Sequence, residues 1–374
     1  MKEITLQGSF FEMGQQYGIQ FKKLIKLMLF EVKLMAIAGE KEGRDFFRPK
    51  VHHMLTAILK IRKYRKVYRE VATEFEENIE KYYPEILELI KGMADSTKID
   101  YRDLIFVNCL VEYSLKCSAF GAAGTATKNG SPLIAMNADE SKAIQKYYVN
   151  INMKPDHGYH FTATYIGGTI FPVFGMNEHG LSLASLLLFL DNEEMSKIRK
   201  PQFLKFSVLH KCKSVAEAKD LFDSIPAAGI GTATYVADSK QLLVQEENPV
   251  FKKTIVYDNG THHTANFPQT EELQKFVKIN KLDDISFFYA KDRHRRIGNI
   301  LEKNTGNIDE DTFYNIISDH GSPEDDTVNK CVCVHPENTK GIKTCASIIL
   351  SPGDKRMKIF DGNPCENNSK DFQF

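Results

Sequence analysis

The sequence predicts an α+β fold in which antiparallel sheets carry helices on their outer faces. Three observations predict it. Apolar residues recur every three or four positions through the first third of the chain. Near Cys117 the character changes to short β-like runs separated by turn residues. The strands then form two clusters with helices between them, rather than the long strand–helix alternation that builds a parallel sheet.

In chain order, Phe21, Leu24, Ile25, Met28 and Val32 define the apolar stripe of a helix within Tyr17–Met35. The stretch Val51–Ile90 repeats the pattern, and Pro84 is placed to open a new helix in its first turn. Ser96 to Leu104 reads as a cap followed by a short helix from Asp100. After Cys117, Thr125–Thr127 reads as a strand, Lys128-Asn129-Gly130-Ser131 as a hairpin turn, and Pro132–Met136 as the returning strand. Further strands are expected at Tyr147–Met153, Tyr159–Tyr165, Leu181–Leu188, Thr232–Ala237, Leu242–Glu246 and Thr254–Tyr257, with a last pair at Cys345–Leu350 and Lys355–Phe360. Helices are expected at Lys200–Lys211, Val215–Ser224, Glu271–Ile279, Asp292–Lys303 and Asp309–Asp319. The polar tail from Asn363 is expected to be loosely held.

The chain has 374 residues with 49 basic and 49 acidic side chains, so it exerts no global pull on nucleic acid or anionic membrane. The basic run Lys60–Lys66 reads as the solvated face of a helix. The longest apolar stretch, Leu181 to Leu190, is too short to span a membrane. No secretory signal is visible, and a cytoplasmic location is expected. Seven scattered cysteines do not form a small disulfide framework and read as reduced thiols. Cys331 and Cys333 have the spacing of a metal pair, but no second pair follows at zinc-ligand distance, so no metal and no cofactor is expected. His262 and His263 are adjacent rather than four apart, and there is no Gly-rich phosphate loop.

The candidate chemistry centres on Cys117. Small residues follow it, Ser118-Ala119-Phe120-Gly121-Ala122-Ala123-Gly124, and would let a substrate approach the backbone. A single cysteine is equally an ordinary core residue. Beyond the hairpin, Asn137 and Asp139 lie two apart and share one face of a strand. A carboxylate there can hold an ammonium, and an asparagine can orient it or stabilise an oxyanion. Asn-x-Asp is also the sequence of a plain strand-end turn.

Cys117-Ser118-Ala119-Phe120, the turn, and Asn137-x-Asp139 resemble the peptidase C45 family. That family includes the fungal acyltransferase that exchanges penicillin side chains, and is related to bile-salt hydrolases and acid ceramidase. Other blocks are similar in the same order: Gly8-Ser9-Phe10-Phe11-Glu12-Met13-Gly14 at the start, Gly175-Met176-Asn177-Glu178-His179-Gly180-Leu181, and Val236-Ala237-Asp238 with Glu246–Pro249. His263-Thr264-Ala265-Asn266-Phe267, Cys333-Val334-His335-Pro336 and Gly362-Asn363-Pro364-Cys365 complete the set. The resemblance implies an N-terminal-nucleophile (Ntn) fold, an αββα four-layer sandwich of two stacked antiparallel sheets. It implies a helical, propeptide-like segment 1–116 packed on a catalytic core 117–374.

The resemblance also implies a mechanism and roles. Cys117 would cleave the bond before it and become a new N-terminus, carrying both thiol and α-amine. The product would be an amide hydrolase or acyltransferase working through an acyl-Cys117 intermediate on a small N-acyl amide or acyl-thioester. Asp139 would hold the Cys117 ammonium, Asn266 would donate to the oxyanion, Asn137 would steady the nucleophile strand, and Asn177 is a weaker substrate-binding candidate. The chain departs from the family pattern at Lys116, where relatives carry Gly, and at Met136 and Val334, where relatives carry Arg. Arg293, Arg295 and Arg296 read as structural ion-pair formers. Two other readings stay open: a papain-like hydrolase pairing Cys117 with His320 or His335, and an uncleaved, inactive relative that binds ligands in the same pocket. Oligomeric state is not legible in the sequence.

Overall fold

The computed structural model describes residues 1–38, 65–110, 116–190, 203–227, 231–277, 285–321, 331–338 and 342–374. Most of the basic run at 60–66 lies outside these residues; within it, Lys66 is solvated and pairs with Glu70 one helical turn away.

Two sheets stack face to face. The larger has the order β1 (Lys2–Gly8), β4 (Tyr148–Pro155), β5 (Phe161–Ile166), β6 (Pro172–Asn177), β7 (Ser182–Leu187), β8 (Thr232–Ala237), β9 (Leu242–Asn248), β10 (Phe251–Tyr257). The smaller has the order β11 (Gly260–Thr264), β2 (Lys116–Gly124), β3 (Gly130–Ser141), β12 (Ile342–Ser351), β13 (Arg356–Asp361), β14 (Ser369–Gln373). Strands β2 and β3 cross the faces of β7 and β8, which forms the inner core. Helices α5 (Leu204–Lys211) and α6 (Val215–Ser224) cover the larger sheet, and α8 (Ile285–Lys303) and α9 (Glu310–Ile317) cover the smaller. The layers are therefore α, β, β, α, as expected. A short helix, α7 (Glu271–Gln274), lies against β9.

The pairing departs from the expectation in one place: β1 joins β4 in parallel, with Ile4 opposite Ile151, while the other pairs are antiparallel. The first third is thus not wholly helical. A seven-residue strand precedes α1 (Phe10–Ala38), α2 (Arg65–Tyr82), α3 (Pro84–Thr97) and α4 (Tyr101–Leu110). In α1 the residues Met13, Tyr17, Phe21, Ile25 and Met28 are buried, a three-to-four spacing that forms one apolar face. Ser9 and Glu12 close a capping box at its start, with the Ser9 amide donating to Glu12 at 2.8 Å. Pro84 does open α3, which ends at Lys98 in the left-handed conformation.

Several local expectations are corrected. Thr125–Thr127 is the turn between β2 and β3 rather than a strand, because Ala126 and Thr127 fold back onto Ala123 and Gly124. The strands β6 and β11 were not expected. The C-terminal tail is also ordered: Ser369–Gln373 adds β14 to the edge of the smaller sheet, with Phe372 opposite Met357. Its polar residues conceal a strand whose pairing comes from β13 and not from its own pattern.

Helices α1 and α3 cross at backbone contact. A methyl group on Gly14 would meet the Leu89 carbonyl oxygen at 2.1 Å, and one on Gly92 would meet that of Phe11 at 2.0 Å. Neither obstacle is a movable side chain. Gly14→Ala and Gly92→Ala should each lower stability by about 1–3 kcal/mol, the scale of overpacking a close contact. Urea unfolding should show a lower midpoint with unchanged slope; an unchanged midpoint would remove the close-crossing account.

Candidate active site

Strand alternation decides which side chains meet. Along β2, Cys117, Ala119 and Gly121 face the larger sheet, while Ser118, Phe120 and Ala122 face α8 and α9. The small residues after the thiol are buried and serve sheet stacking. A methyl group on Gly121 would strike the Leu242 side chain at 2.8 Å, and the Tyr235 hydroxyl donates to the Ala119 carbonyl at 3.1 Å. On the other face Phe120 meets Phe313 of α9 edge-on, with centroids 4.8 Å apart.

Strand β3 follows the same alternation. Ala138 lies opposite Cys117, whereas Asn137 lies opposite Ser118 and Asp139 opposite Lys116. Asn137 and Asp139 do share a face, but it is the helical face, away from the Cys117 thiol. They approach Cys117 through its backbone.

Asp139 is buried, and its carboxylate pairs with Arg293 and with the Thr344 hydroxyl. Arg293 of α8 donates to Oδ2 at 2.5 Å, and the Thr344 hydroxyl donates to Oδ1 at 2.7 Å. Thr344 reaches it because β12 is bulged: Thr344 pairs with Asp139 and Ala346 with Ala138, leaving Cys345 as the extra residue. Arg293 is the residue that sequence reasoning undervalued. It forms an ion pair, as read, but it also reaches Asn266 Oδ1 at 3.4 Å and so lines the candidate site. The signal available in the sequence was the carboxylate itself, since a buried Asp requires a cation or several donors.

Asn266 follows β11 and holds a left-handed backbone, φ 64°. Its Oδ1 accepts the Cys117 amide N–H at 2.7 Å, and its Nδ2 donates to the Leu187 carbonyl at 2.7 Å. A backbone donor on one side and a backbone acceptor on the other fix the orientation of the amide. Asn137 donates to the carbonyls of Ile317 and Val332 at 2.8 and 2.9 Å, tying the end of α9 and the 331–335 segment to β3. Asn177 donates to Leu209 and Cys212 and accepts from His179 and Leu181, so its side chain closes a turn against the end of α5.

The Cys117 thiol is fully buried. Burial pushes its pKa well above the ordinary thiol value, and the Asp139 and Glu140 charges push the same way; the Asp139 backbone amide and Arg293 oppose them. The neutral thiol is therefore the favoured form in the intact chain. His320 and His335, the papain-like candidates, face each other at 3.1 Å and sit beside Cys333 and Cys365. Near β11, His263 stacks on His294 of α8 at 4.2 Å, and His262 bonds the Tyr235 hydroxyl at 2.8 Å. Burial holds both β11 histidines neutral, His262 at about 4 and His263 at about 3. An open cleft of about 460 Å³ lies at the far end of the β2–β3 hairpin, lined by residues such as Lys128, Asp309 and Asp354. Cys117 is seven residues back along β2 from Gly124, roughly 23 Å at strand rise, so this cleft is not its pocket.

The sequence model of the acyl-coenzyme A:6-aminopenicillanic acid acyl-transferase family matches residues 125–366, more than half of the chain. The chain belongs to that family. Membership makes it an amide hydrolase or acyltransferase of the N-terminal-nucleophile kind, and its family acts on small molecules. No curated protein sequence matches it. Among solved structures, a Caenorhabditis elegans N-acylethanolamine-hydrolyzing acid amidase ortholog is similar at 15% identity and TM-score 0.43, covering 63% of this chain and 93% of its own. Penicillin V acylase from Agrobacterium tumefaciens is similar at 15% identity and TM-score 0.42, over 66% of this chain and 83% of its own. A Clostridium perfringens conjugated bile acid hydrolase mutant is similar at 15% identity and TM-score 0.40, over 68% and 97%. The family assignment rests on the sequence match. No helix among the described residues is long and apolar enough to cross a membrane.

Two outcomes follow from the site's electrostatics. Arg293→Met leaves Asp139 buried without its cation and should cost about 3–5 kcal/mol, while adding Asp139→Leu should recover much of the loss. A double variant no more stable than Arg293→Met would refute the pairing, as read by chemical denaturation. The second outcome concerns acid. His262 and His263 are neutral when folded and return to about 6.5 when unfolded, so the unfolded chain binds protons first. Their contribution is complete above pH 6.5 and is lost as the pH falls towards 4 and then 3. His263→Phe, which keeps a ring against His294, should flatten that fall in thermal unfolding across the same range.

Proposed function

We propose that the chain is a cysteine Ntn amidohydrolase or acyltransferase that acts on a small N-acyl amide or acyl-thioester through an acyl-Cys117 intermediate. One observation carries the reading. The amide nitrogen of Cys117, the atom that cleavage before Cys117 would convert to an α-amine, is buried against Asn266 Oδ1 at 2.7 Å. Arg293 and Asp139 stand behind that contact. Any buried amide N–H needs an acceptor; here the acceptor is a side chain that Arg293, itself paired with Asp139, also contacts.

In this reading the intact chain is the precursor. The Cys117 sulfur attacks the Lys116 carbonyl carbon, and the C–N bond breaks as the nitrogen takes up a proton. The resulting thioester is hydrolysed by water to a Lys116 carboxylate and a free Cys117 carrying both thiol and α-amine. An amide nitrogen is not basic, but an α-amine has a pKa of about 7.7–8.0 and can accept the thiol proton near neutral pH. The thiolate then attacks the substrate carbonyl, the leaving amine departs with that proton, and water or an acceptor amine takes the acyl group. Asp139 would balance the ammonium charge, and Asn137 would steady the strand. The resemblance assigns the oxyanion to Asn266. Its Nδ2 is committed here to the Leu187 carbonyl, and its contact supports a role on the Cys117 nitrogen. Asn177 keeps at most a supporting role, because its hydrogen bonds go to backbone. Residues 1–116 act as a propeptide-like segment that stays on the core 117–374, since β1 contributes to the larger sheet.

Edman sequencing of the purified protein should give a second N-terminus reading Cys-Ser-Ala-Phe. Cys117→Ala should abolish both cleavage and acyl transfer, and Cys117→Ser should cleave slowly. Asp139→Asn should lower turnover by ~10²-fold or more, the scale of losing a catalytic electrostatic contact. A single intact chain that turns over an N-acyl amide would refute the processing step. Acylation at another cysteine, found by mass spectrometry, would refute the nucleophile.

A further inference from the structure

We propose that His320, Cys333, His335 and Cys365 form a structural Cys2His2 site for zinc. The four come from three separate segments: the loop after α9, the 331–335 segment and the short turn Pro364–Glu366. Their ligand atoms all lie within 4.8 Å of one another.

Four of the six ligand–ligand distances match the edges of a tetrahedron around one ion. Zinc bonds of about 2.3 Å to sulfur and about 2.0–2.1 Å to nitrogen require S–S edges of about 3.8 Å, S–N edges of about 3.6 Å and N–N edges of about 3.3 Å. Here Cys333 Sγ and Cys365 Sγ are 3.7 Å apart. His335 Nε2 lies 3.6 Å from Cys333 Sγ and 3.5 Å from Cys365 Sγ, and 3.1 Å from His320 Nε2. Hydrogen bonding does not account for this convergence. An imidazole nitrogen carries either one proton or one lone pair and serves one such bond, yet His335 Nε2 has three polar neighbours. A cation at the common centre satisfies all of them.

The surroundings suit a metal. Asn363 Nδ2 donates to Cys333 Sγ at 3.3 Å, which stabilises a thiolate. His335 turns its other nitrogen, Nδ1, towards the Glu337 carboxylate, 3.7 Å away and beyond hydrogen-bond distance. Zn²⁺ binding releases the two thiol protons and leaves a neutral Zn(S⁻)₂(N)₂ unit, which adds no net charge beside the Asp139–Arg293 pair. With four protein ligands there is no open coordination position, so the role is to hold structure. What it holds is specific. Val334, between two of the ligands, donates its N–H to the Thr344 hydroxyl at 2.9 Å, and Thr344 donates to Asp139. Asn137 grips Ile317 and Val332, next to the other segments. The ion would staple the outer-face loops that support Asp139. Sequence spacing pointed instead to Cys331 with Cys333; Cys331 Sγ bonds the Cys333 carbonyl and is not a ligand.

The test does not depend on the reading of Cys117. Full-length protein purified with Zn²⁺ and without chelator should hold about one zinc per chain by elemental analysis. Replacement by Co²⁺ should give the strong visible bands of tetrahedral cobalt and sulfur-to-cobalt charge transfer. His320→Ala, at an exposed position that should not impair folding, and Cys365→Ser should each weaken Co²⁺ binding by at least ~10–100-fold, the scale of losing even a supporting partner. Cys331→Ser should bind as wild type. Wild-type protein that takes up neither ion, a Cys333–Cys365 disulfide peptide in the protein as isolated, or unchanged Co²⁺ spectra in both ligand variants would each overturn the proposal.

Discussion

The constraint on which the site depends is the burial of one carboxylate. Asp139 sits under α8 on a strand shielded from water on both faces, and an isolated charge there would be prohibitive. Arg293 neutralises it, and that requirement sets the rotation of α8 about its axis. Thr344 supplies the second donor, and that requirement accounts for the β12 bulge at Cys345, which aims the hydroxyl at Asp139. One acidic residue thus couples a helix, two strands and a bulge. Such a pair contributes little net stability, because desolvating both ions offsets most of their attraction. Its effect is to specify one arrangement.

Strand alternation then sorts the chemistry onto two faces. The Cys117 thiol lies in the apolar layer between the sheets, and Asp139 in the polar layer beneath the helices. Only the backbone of Cys117 is common to both. Asn266 reaches that backbone because β11 pairs antiparallel with Ala119–Ala123 of β2, so the chain leaving Thr264 runs on towards Cys117, and its side chain, on a left-handed backbone, lies between Cys117 N–H and the Leu187 carbonyl. A thiol in the dry layer is held towards its neutral form, because burial disfavours the thiolate.

The polar layer continues outward. From Asp139 it passes through Thr344 to Val334 and through Asn137 to Ile317 and Val332, reaching the loops that bring His320, Cys333, His335 and Cys365 together. Support for the strand bearing Asp139 and assembly of the cysteine–histidine cluster are one network of hydrogen bonds.

The sequence by itself determined what local periodicity can carry. The apolar stripe of α1, the proline at the head of α3, helix Val215–Ser224 and strand Thr232–Ala237 were all legible, because a 3.6- or 2-residue repeat records which face is buried. The ordered motifs were legible too, and with them the family and the layered fold. Other features depended on partners distant in the chain. Strand β1 exists because β4 lies beside it, 147 positions away by the pairing of Lys2 with Val149, and β14 exists because β13 offers an edge. The face to which Asp139 points, its pairing with Arg293 and the commitment of both ends of the Asn266 amide follow from sheet register. The four cysteine and histidine ligands share no spacing rule. Convergence of this kind is set by how sheets pair and helices pack across the whole chain, and no local repeat encodes it.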